Sequence, residues 1–432
     1  MKKRITFFLV CAAWGSSLPA QVQAPSLSLA QAEELALKNH PQVLAAENEA
    51  GVANQLVIEA KSAYLPELNA DFTGSQANQL ARLGAGYLAA SRLWTRFGQG
   101  VTFSQLVTDS GRTNNLVADS KLQAQAARQT YQATRYGVIL AVNRAYFEVL
   151  RAQALLKVAQ QTVAARQTLF DQVDTLAKNK LRSDLDVSFA GVSLSEAKLM
   201  VIRAQAQIQG AYADLTRALG LSQVTEYTLT DEPLPPSPPA QPDALIAQAL
   251  ANRPELAGAR LSGSAAHKFE QAEKDLRYPT VSIAGAAGFL PLVNDQSRGR
   301  IAPEYESVGV NVEIPIFNGH LFSARREAAR YRALAADQGI RDWEQRIARD
   351  VRTVWSESST AFQRLSVTAQ MLKQSSLGLD LAQGRYNLGL SSIVELTQAQ
   401  LSVTQAQIED LSAKYDYQSQ YAALQYTMGL LR

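Results

Sequence analysis

The sequence predicts a mainly α-helical chain with four β-strands, written as two repeats of one module in which a strand pair precedes a long coiled-coil hairpin. Three observations carry this: prolines and glycines that recur in register at a near-constant offset, apolar residues spaced alternately three and four apart along long stretches, and four short segments that alternate apolar and polar side chains.

The repeat is visible without alignment to anything else. Asn39-His40-Pro41 returns as Asn252-Arg253-Pro254 (254 − 41 = 213), and Tyr64-Leu65-Pro66 as Arg277-Tyr278-Pro279 (279 − 66 = 213), with Lys61 falling on Lys274. Further on, Ser110-Gly111-Arg112 matches Asn318-Gly319-His320 (319 − 111 = 208) and Leu181-Arg182-Ser183 matches Leu390-Ser391-Ser392 (390 − 181 = 209). Proline and glycine kept in register mean backbone geometry kept in register, so the module is the unit to interpret. Repeat 1 is expected over 25–232, with short helices, strands at 64–74 and 99–109 and a hairpin over 112–219. Repeat 2 is expected over 243–432, with strands at 279–289 and 306–317 and a hairpin over 320–430. Between them 233–242 holds Pro233, Pro235, Pro236, Pro238, Pro239 and Pro242, read as a polyproline-type tether.

The long helices give the strongest signal. Val138, Val142, Ala145, Val149, Ala152, Leu156, Ala159 and Val163 follow one another at steps of 4 and 3, as do Val187, Ala190, Leu194, Ala197, Val201, Ala204, Ile208, Ala211, Leu215 and Ala218 on the return. That is the 3.5-residue period of a coiled-coil seam. Lys178-Asn179-Lys180 interrupts it, and Ser183 or Asp184 is placed to cap the returning helix. In repeat 2 Tyr386-Asn387-Leu388-Gly389 holds the corresponding place, with Gly389 suited to a left-handed turn. A helix from about 113 to 177 would run roughly 100 Å, too long to fold back into a globule.

Each strand is about the ten residues a tilted strand needs to cross a bilayer. In the first, Leu68, Ala70 and Phe72 alternate with Glu67, Asn69 and Asp71; in the last, Val308, Val310 and Val312 alternate with Gly309, Asn311 and Glu313. Lipid outside and water inside would demand that alternation, and so would a half-buried sheet in a soluble domain. Counting favours the membrane: four strands cannot close a barrel whose smallest members have about eight, and open edges are not tolerated in lipid, so copies would have to pool them. The segments 75–97 and 290–304 between paired strands are long, and Tyr87, Trp94 and Phe97 or Phe289 stand there as interface aromatics, Trp94 as the anchor.

Composition removes other classes. Met1-Lys2-Lys3-Arg4, the apolar run Ile5 to Ala13 and small residues ending near Ala20 or Ala24 read as a signal peptide over 1–24, cleaved near 20–24. Cys11, the only cysteine, falls inside it, and Val10 before it argues against lipid attachment. Losing Lys2, Lys3 and Arg4 takes the net charge from +3 to 0, a poor basis for nucleic-acid binding. No phosphate loop, histidine-based metal motif or GxSxG elbow is present, so no enzyme, cofactor or metal site is expected; His40, His267 and His320 lack ligand spacing.

At this point the chain resembles the outer-membrane efflux protein family over nearly its whole length and in both repeats. The residues that carry the resemblance are Ser28-Leu29-Ala30 through Asn39-His40-Pro41, Tyr64-Leu65-Pro66, Pro315-Ile316-Phe317-Asn318-Gly319, and Tyr386-Asn387-Leu388-Gly389 followed by Val394-Glu395-Leu396. The resemblance implies a homotrimer that pools four strands per copy (3 × 4 = 12) into an outer-membrane barrel of a Gram-negative bacterium, in contact with outer-membrane lipid and continued by a helical tunnel in the periplasm. It implies passive conduction, with an inner-membrane pump and a periplasmic adaptor protein as partners, the adaptor meeting hairpin tips that here comprise Asn179, Lys180, Leu181, Asn387, Leu388 and Gly389. On the strands it makes Glu67, Asn69, Asp71, Asn311 and Glu313 barrel lumen, and Leu68, Ala70, Phe72, Val308, Val310 and Val312 the lipid face.

The family's periplasmic constriction maps here as well. Two aspartates three residues apart in its best-known member fall on Glu395 and Gln398, so charge is kept at one and lost at the other. A tyrosine–arginine pair at the tip falls on Tyr386 and Ser391, the first kept and the second not, and Asp186 is the repeat-1 equivalent of Glu395 (395 − 186 = 209). Local readings stand beside these: Glu395 as a first-turn carboxylate favoured by the helix dipole, Asp184 and Asp186 as caps, and Tyr386 as a seal of the tip. Export of proteins or of metal ions, rather than of small molecules, is the alternative for cargo. A periplasmic adaptor and a soluble coiled-coil scaffold are the alternatives of other classes.

Overall fold

The computed structural model describes residues 25–76, 96–290 and 304–431. The expected leader, Tyr87 and Trp94 lie outside the described residues. Two short helices open each repeat. In repeat 1, α1 (Leu29–Asn39) follows β1 (Ser26–Leu27) and is capped by Ser28, whose side chain and that of Gln31 form a reciprocal capping box. Next, α2 (Pro41–Ser62) starts on a proline, whose missing N–H costs nothing at a helix start, and the His40 ring accepts from the Gln42 N–H at 3.2 Å.

The strands β2 (Glu67–Ser75) and β3 (Arg96–Thr108) lead into α3 (Arg112–Lys178), which turns back as α4 (Asp184–Ala218). After β4 (Thr228–Leu229) the order is repeated: α5 (Asp243–Asn252), α6 (Pro254–Asp275), β5 (Thr280–Phe289), β6 (Glu304–Glu313), α7 (Leu321–Asn387) and α8 (Ile393–Thr427). The repeat is kept to the residue in its hairpins: α3 and α7 are both 67 residues long, α4 and α8 both 35.

The four main strands form one antiparallel sheet in the order β2-β3-β5-β6, so β2 and β6 are open edges. Several strand ends differ from the sequence expectation. The strand expected from residue 64 begins at Glu67, because Tyr64 and Leu65 close a turn on α2 with N–H bonds to Lys61 and Ser62 and Pro66 has no N–H to give a ladder. The strand expected to reach 317 stops at Glu313, just before Pro315. The strand expected over 99–109 runs Arg96–Thr108 and closes on a bulge between Leu106 and Thr108.

Cross-strand register sorts the side chains by face. Leu68, Phe103, Val308, Val310 and Val312 share one face with Val281 and Ile283; Glu67, Asn69, Asp71, Thr102, Ser104, Asn311 and Glu313 share the other. Among the described residues no helix packs on either face. Val308 is 81% exposed, Val310 69% and Phe72 73%, so the apolar face of an isolated chain lies bare. A half-buried sheet of a soluble domain would have covered it.

The long helices pack side by side, with α1 against α3 and α5 against α7. Near the strands the neighbours run α2, α3, α6, α7; toward the hairpin tips they run α4, α3, α8, α7. The coiled-coil seam is an alanine ladder: Ala190, Ala197, Ala204, Ala211 and Ala218 are all buried, one heptad apart, which lets α4 lie close to α3.

The inter-repeat segment is not a free tether. Its backbone carbonyls lack ladder partners, as in any polyproline-type run, and side chains from far along the chain supply them. Tyr146 on α3 donates to Thr230 at 2.7 Å or to Leu27 at 2.9 Å and accepts from the Thr230 N–H. On α8, Lys414 pairs with Asp231, Gln418 donates to the Glu232 carbonyl at 2.7 Å and Tyr417 donates to that of Pro236. On α7, Trp355 donates to Pro239 at 2.8 Å. The segment is a belt that crosses both hairpins partway along their length. Burial pushes the Tyr146 and Tyr417 hydroxyls up to about 12, so both stay protonated as donors.

Candidate functional site

Both hairpin tips are built by the same chemistry. Each outgoing helix ends in a Schellman turn: the Leu181 N–H bonds Leu176 at 2.9 Å and the Leu390 N–H bonds Arg385 at 2.8 Å. The left-handed residue of that turn is Gly389 (φ 74°) in repeat 2, but Lys180 (φ 60°) in repeat 1. Each returning helix is capped by serine, Ser183 in a box with Asp186 and Ser392 on the Glu395 N–H. Asp186 thus has a capping role, and Asn179 closes α3 through its side-chain bond to the Thr175 carbonyl. Leu181 and Leu388 project bare from the tips, 70% and 76% exposed.

Tyr386 joins the two hairpins. Its side chain is 4% exposed and packs with Leu169, Val173 and Ala190 of the first hairpin and Ala382, Ile393 and Leu396 of the second. Over its ring, 4.3 Å from the centroid, lies the guanidinium of Arg182, which also donates to the Tyr386 backbone carbonyl at 3.1 Å. Burial raises the Tyr386 hydroxyl above its ordinary range, partly offset by Arg182 and reinforced by Asp186. That hydroxyl has no hydrogen-bond partner among the described residues, so the contact with Arg182 is through ring and backbone. Ser391, where the family resemblance puts the basic partner of Tyr386, carries no charge. The arginine stands at the same place in the other repeat (391 − 182 = 209), and the repeat offset was the signal that could have located it.

Glu395 is not a bare carboxylate. It sits in the first turn of α8 and pairs across the turn with Arg385 at 3.1 Å, both side chains about half exposed. Gln398 lies one turn further along α8, also exposed. Higher in the first hairpin, Arg166 is buried at 3% exposure and donates to the Ser193 hydroxyl between α3 and α4; burial lowers its pKa. The seam pattern gives Arg385 no distinct position, and it leaves Arg166 outside the seam on a face expected to meet water, where the structure instead buries it against Ser193.

A sheet with one bare apolar face and open edges on both flanks, joined to helices too long for a globule, is the architecture of a membrane-channel subunit. The chain belongs to the outer membrane efflux protein family, whose pattern it matches over residues 33–221 and 245–430. It is 26% identical over 436 residues to the outer membrane protein TolC of Vibrio cholerae, covering all of this chain and 96% of that protein. A membrane protein of Pseudomonas aeruginosa superposes with a TM-score of 0.80 at 21% identity, over 93% of each chain. The outer membrane protein VceC of Vibrio cholerae superposes at 0.77 with 18% identity, over 93% of this chain and 96% of that one.

Proposed function

We propose that three copies of this chain close into one outer-membrane exit duct, a barrel of 3 × 4 = 12 strands continued by a periplasmic tunnel of helices. The observation that carries the proposal is that the sheet and the helix layer end on the same two flanks. On one flank stand β2, α2 and α4; on the other β6 and α7. The helices on these flanks carry apolar side chains that a single copy leaves exposed: Val52 on α2, Val192 and Leu199 on α4, and Val367 and Leu381 on α7. A second copy placed flank to flank would pair β6 with β2 and cover those side chains, and a third would close the ring.

The polar sheet face then lines the lumen, with Glu67, Asn69, Asp71, Asn311 and Glu313, and Leu68, Ala70, Phe72, Val308, Val310 and Val312 meet lipid. Transport is passive. An inner-membrane pump supplies energy and selects cargo, and a periplasmic adaptor engages the tips through Asn179, Lys180 and Leu181 and through Asn387, Leu388 and Gly389. Small molecules are the proposed cargo.

The gate is the tip region, where Tyr386 holds one hairpin to the other through Arg182. Opening would be a change in how the hairpins pack, a two-state element biased by the adaptor. Glu395, Gln398 and Asp186 ring the mouth. Because Arg385 neutralises Glu395, the resting mouth would bind cations weakly.

Planar-bilayer recording tests both parts. The purified protein is expected to form conducting trimers, and Arg385→Ala, which bares three carboxylates, to raise cation selectivity and bring on block by divalent cations. A soluble protein without conductance would contradict the duct, and unchanged selectivity in Arg385→Ala would remove Glu395 from the constriction.

A further inference from the structure

Among the described strand residues, one aromatic side chain lies on the polar face of the sheet: Tyr305, near the start of β6. It stands opposite Gly288 of β5, which stands opposite Gly100 of β3, which stands opposite Asp71 of β2, so the four form one row across the sheet. A Cβ added to Gly288 would come within 2.6 Å of the Tyr305 Cζ. One added to Gly100, two strands away, would overlap the Tyr305 hydroxyl and stand 3.3 Å from Cζ. The ring therefore lies flat along the wall, across β5, with its hydroxyl over β3. Side chains on a sheet ordinarily stand roughly perpendicular to it. Glycine weakens a strand, and two side by side in central strands call for a close approach that only glycine allows.

We propose that Tyr305 sets the calibre of the duct at the loop end of the barrel, and that Gly100 and Gly288 form a trough that keeps its ring against the wall. Three such rings at one height leave the passage wide. Filling the trough raises the rings into the lumen and makes a constriction. This rests on the polar face being the lumen, as proposed above.

Asn311 lies on the same face, six residues further toward the helices (311 − 305 = 6), and the one cysteine of the sequence falls in the expected leader. Asn311→Cys therefore gives a single reporter beyond the rings. It is labelled on intact cells with a small charged thiol reagent and with maleimide-polyethylene glycols of graded size. Adding Gly100→Ala is expected to slow the largest reagent that labels the parent by about tenfold, with the small reagent unaffected. Adding Tyr305→Ala as well is expected to restore the parent rate. Equal rates with and without Gly100→Ala, or a variant carrying both changes that stays slow, would overturn the proposal. If Gly100→Ala forms no trimer, recovery of the trimer by Tyr305→Ala supports the same collision, and failure to recover overturns it. A parent in which even the small reagent misses residue 311 would instead defeat the lumen reading, and the calibre proposal would fall with it.

Discussion

Arginine at Val310 is expected to abolish the stable membrane-inserted trimer, while arginine at the neighbouring Asn311 leaves it in place. Val310 lies in the middle of β6, on the face shared with Val308, Val312, Val281 and Ile283. Among the described residues nothing covers it, and at 69% exposure in a single copy it is a residue that the proposed barrel turns to lipid. A guanidinium there costs about 2–4 kcal/mol near the bilayer midplane, and the ring would carry it three times. Asn311 faces the other way, beside Ser282, where water would solvate an added charge. The check is the heat-modifiable trimer on denaturing gels of outer membranes. Equal loss at both positions, or equal tolerance, would mean that the faces are not lipid and water.

Removing Arg182 is the second large effect. Its guanidinium over Tyr386 and its bond to the Tyr386 carbonyl form the polar tie between hairpins at the tips. Such a contact is worth about 1–2 kcal/mol in each copy, so a gate in which three copies move together would shift toward the open state by about 3–6 kcal/mol. Arg182→Ala is therefore expected to raise single-channel conductance and to admit antibiotics that the intact outer membrane excludes. Arg182→Lys keeps the charge but loses the planar stacking, and should fall between the two. An Arg182→Ala channel with the conductance of the parent would place the closing contact elsewhere.

What could be read from the sequence depended on whether the signal was periodic or particular. The seam from Val187 to Ala218 was legible because packing repeats every heptad, and every residue of the alanine ladder is buried. The faces of β2 and β6 followed from strict alternation. Strand ends were harder, since the apolar alternation continues through Ile314 and Ile316 after the ladder has stopped near Pro315. The belt was hidden altogether: a run of prolines shows that its carbonyls lack local partners, but not that Tyr417, Gln418 and Trp355, more than a hundred residues away, supply them. The tip lay between these cases. Tyr386 and Glu395 stand out in the sequence as tip residues, while Arg182 and Arg385, which contact them, do not. Arg182 hid in the other repeat, and Arg385 faces Glu395 only because the turn brings residues ten apart in sequence together.

The central claim is that this chain cannot wall off lipid alone and that identical copies complete it edge to edge. Within one chain β2 and β6 lie at opposite edges of the sheet, separated by β3 and β5. Cysteine at Ala70 on β2, combined in turn with cysteine at Val308, Val310 or Val312 on β6, therefore gives the most direct measurement: oxidation in outer membranes followed by denaturing electrophoresis. The account predicts that one of these pairs yields cross-linked dimers and a closed covalent trimer, with nothing larger. Cross-links only within single chains, or a ladder that runs on past three copies, would contradict it.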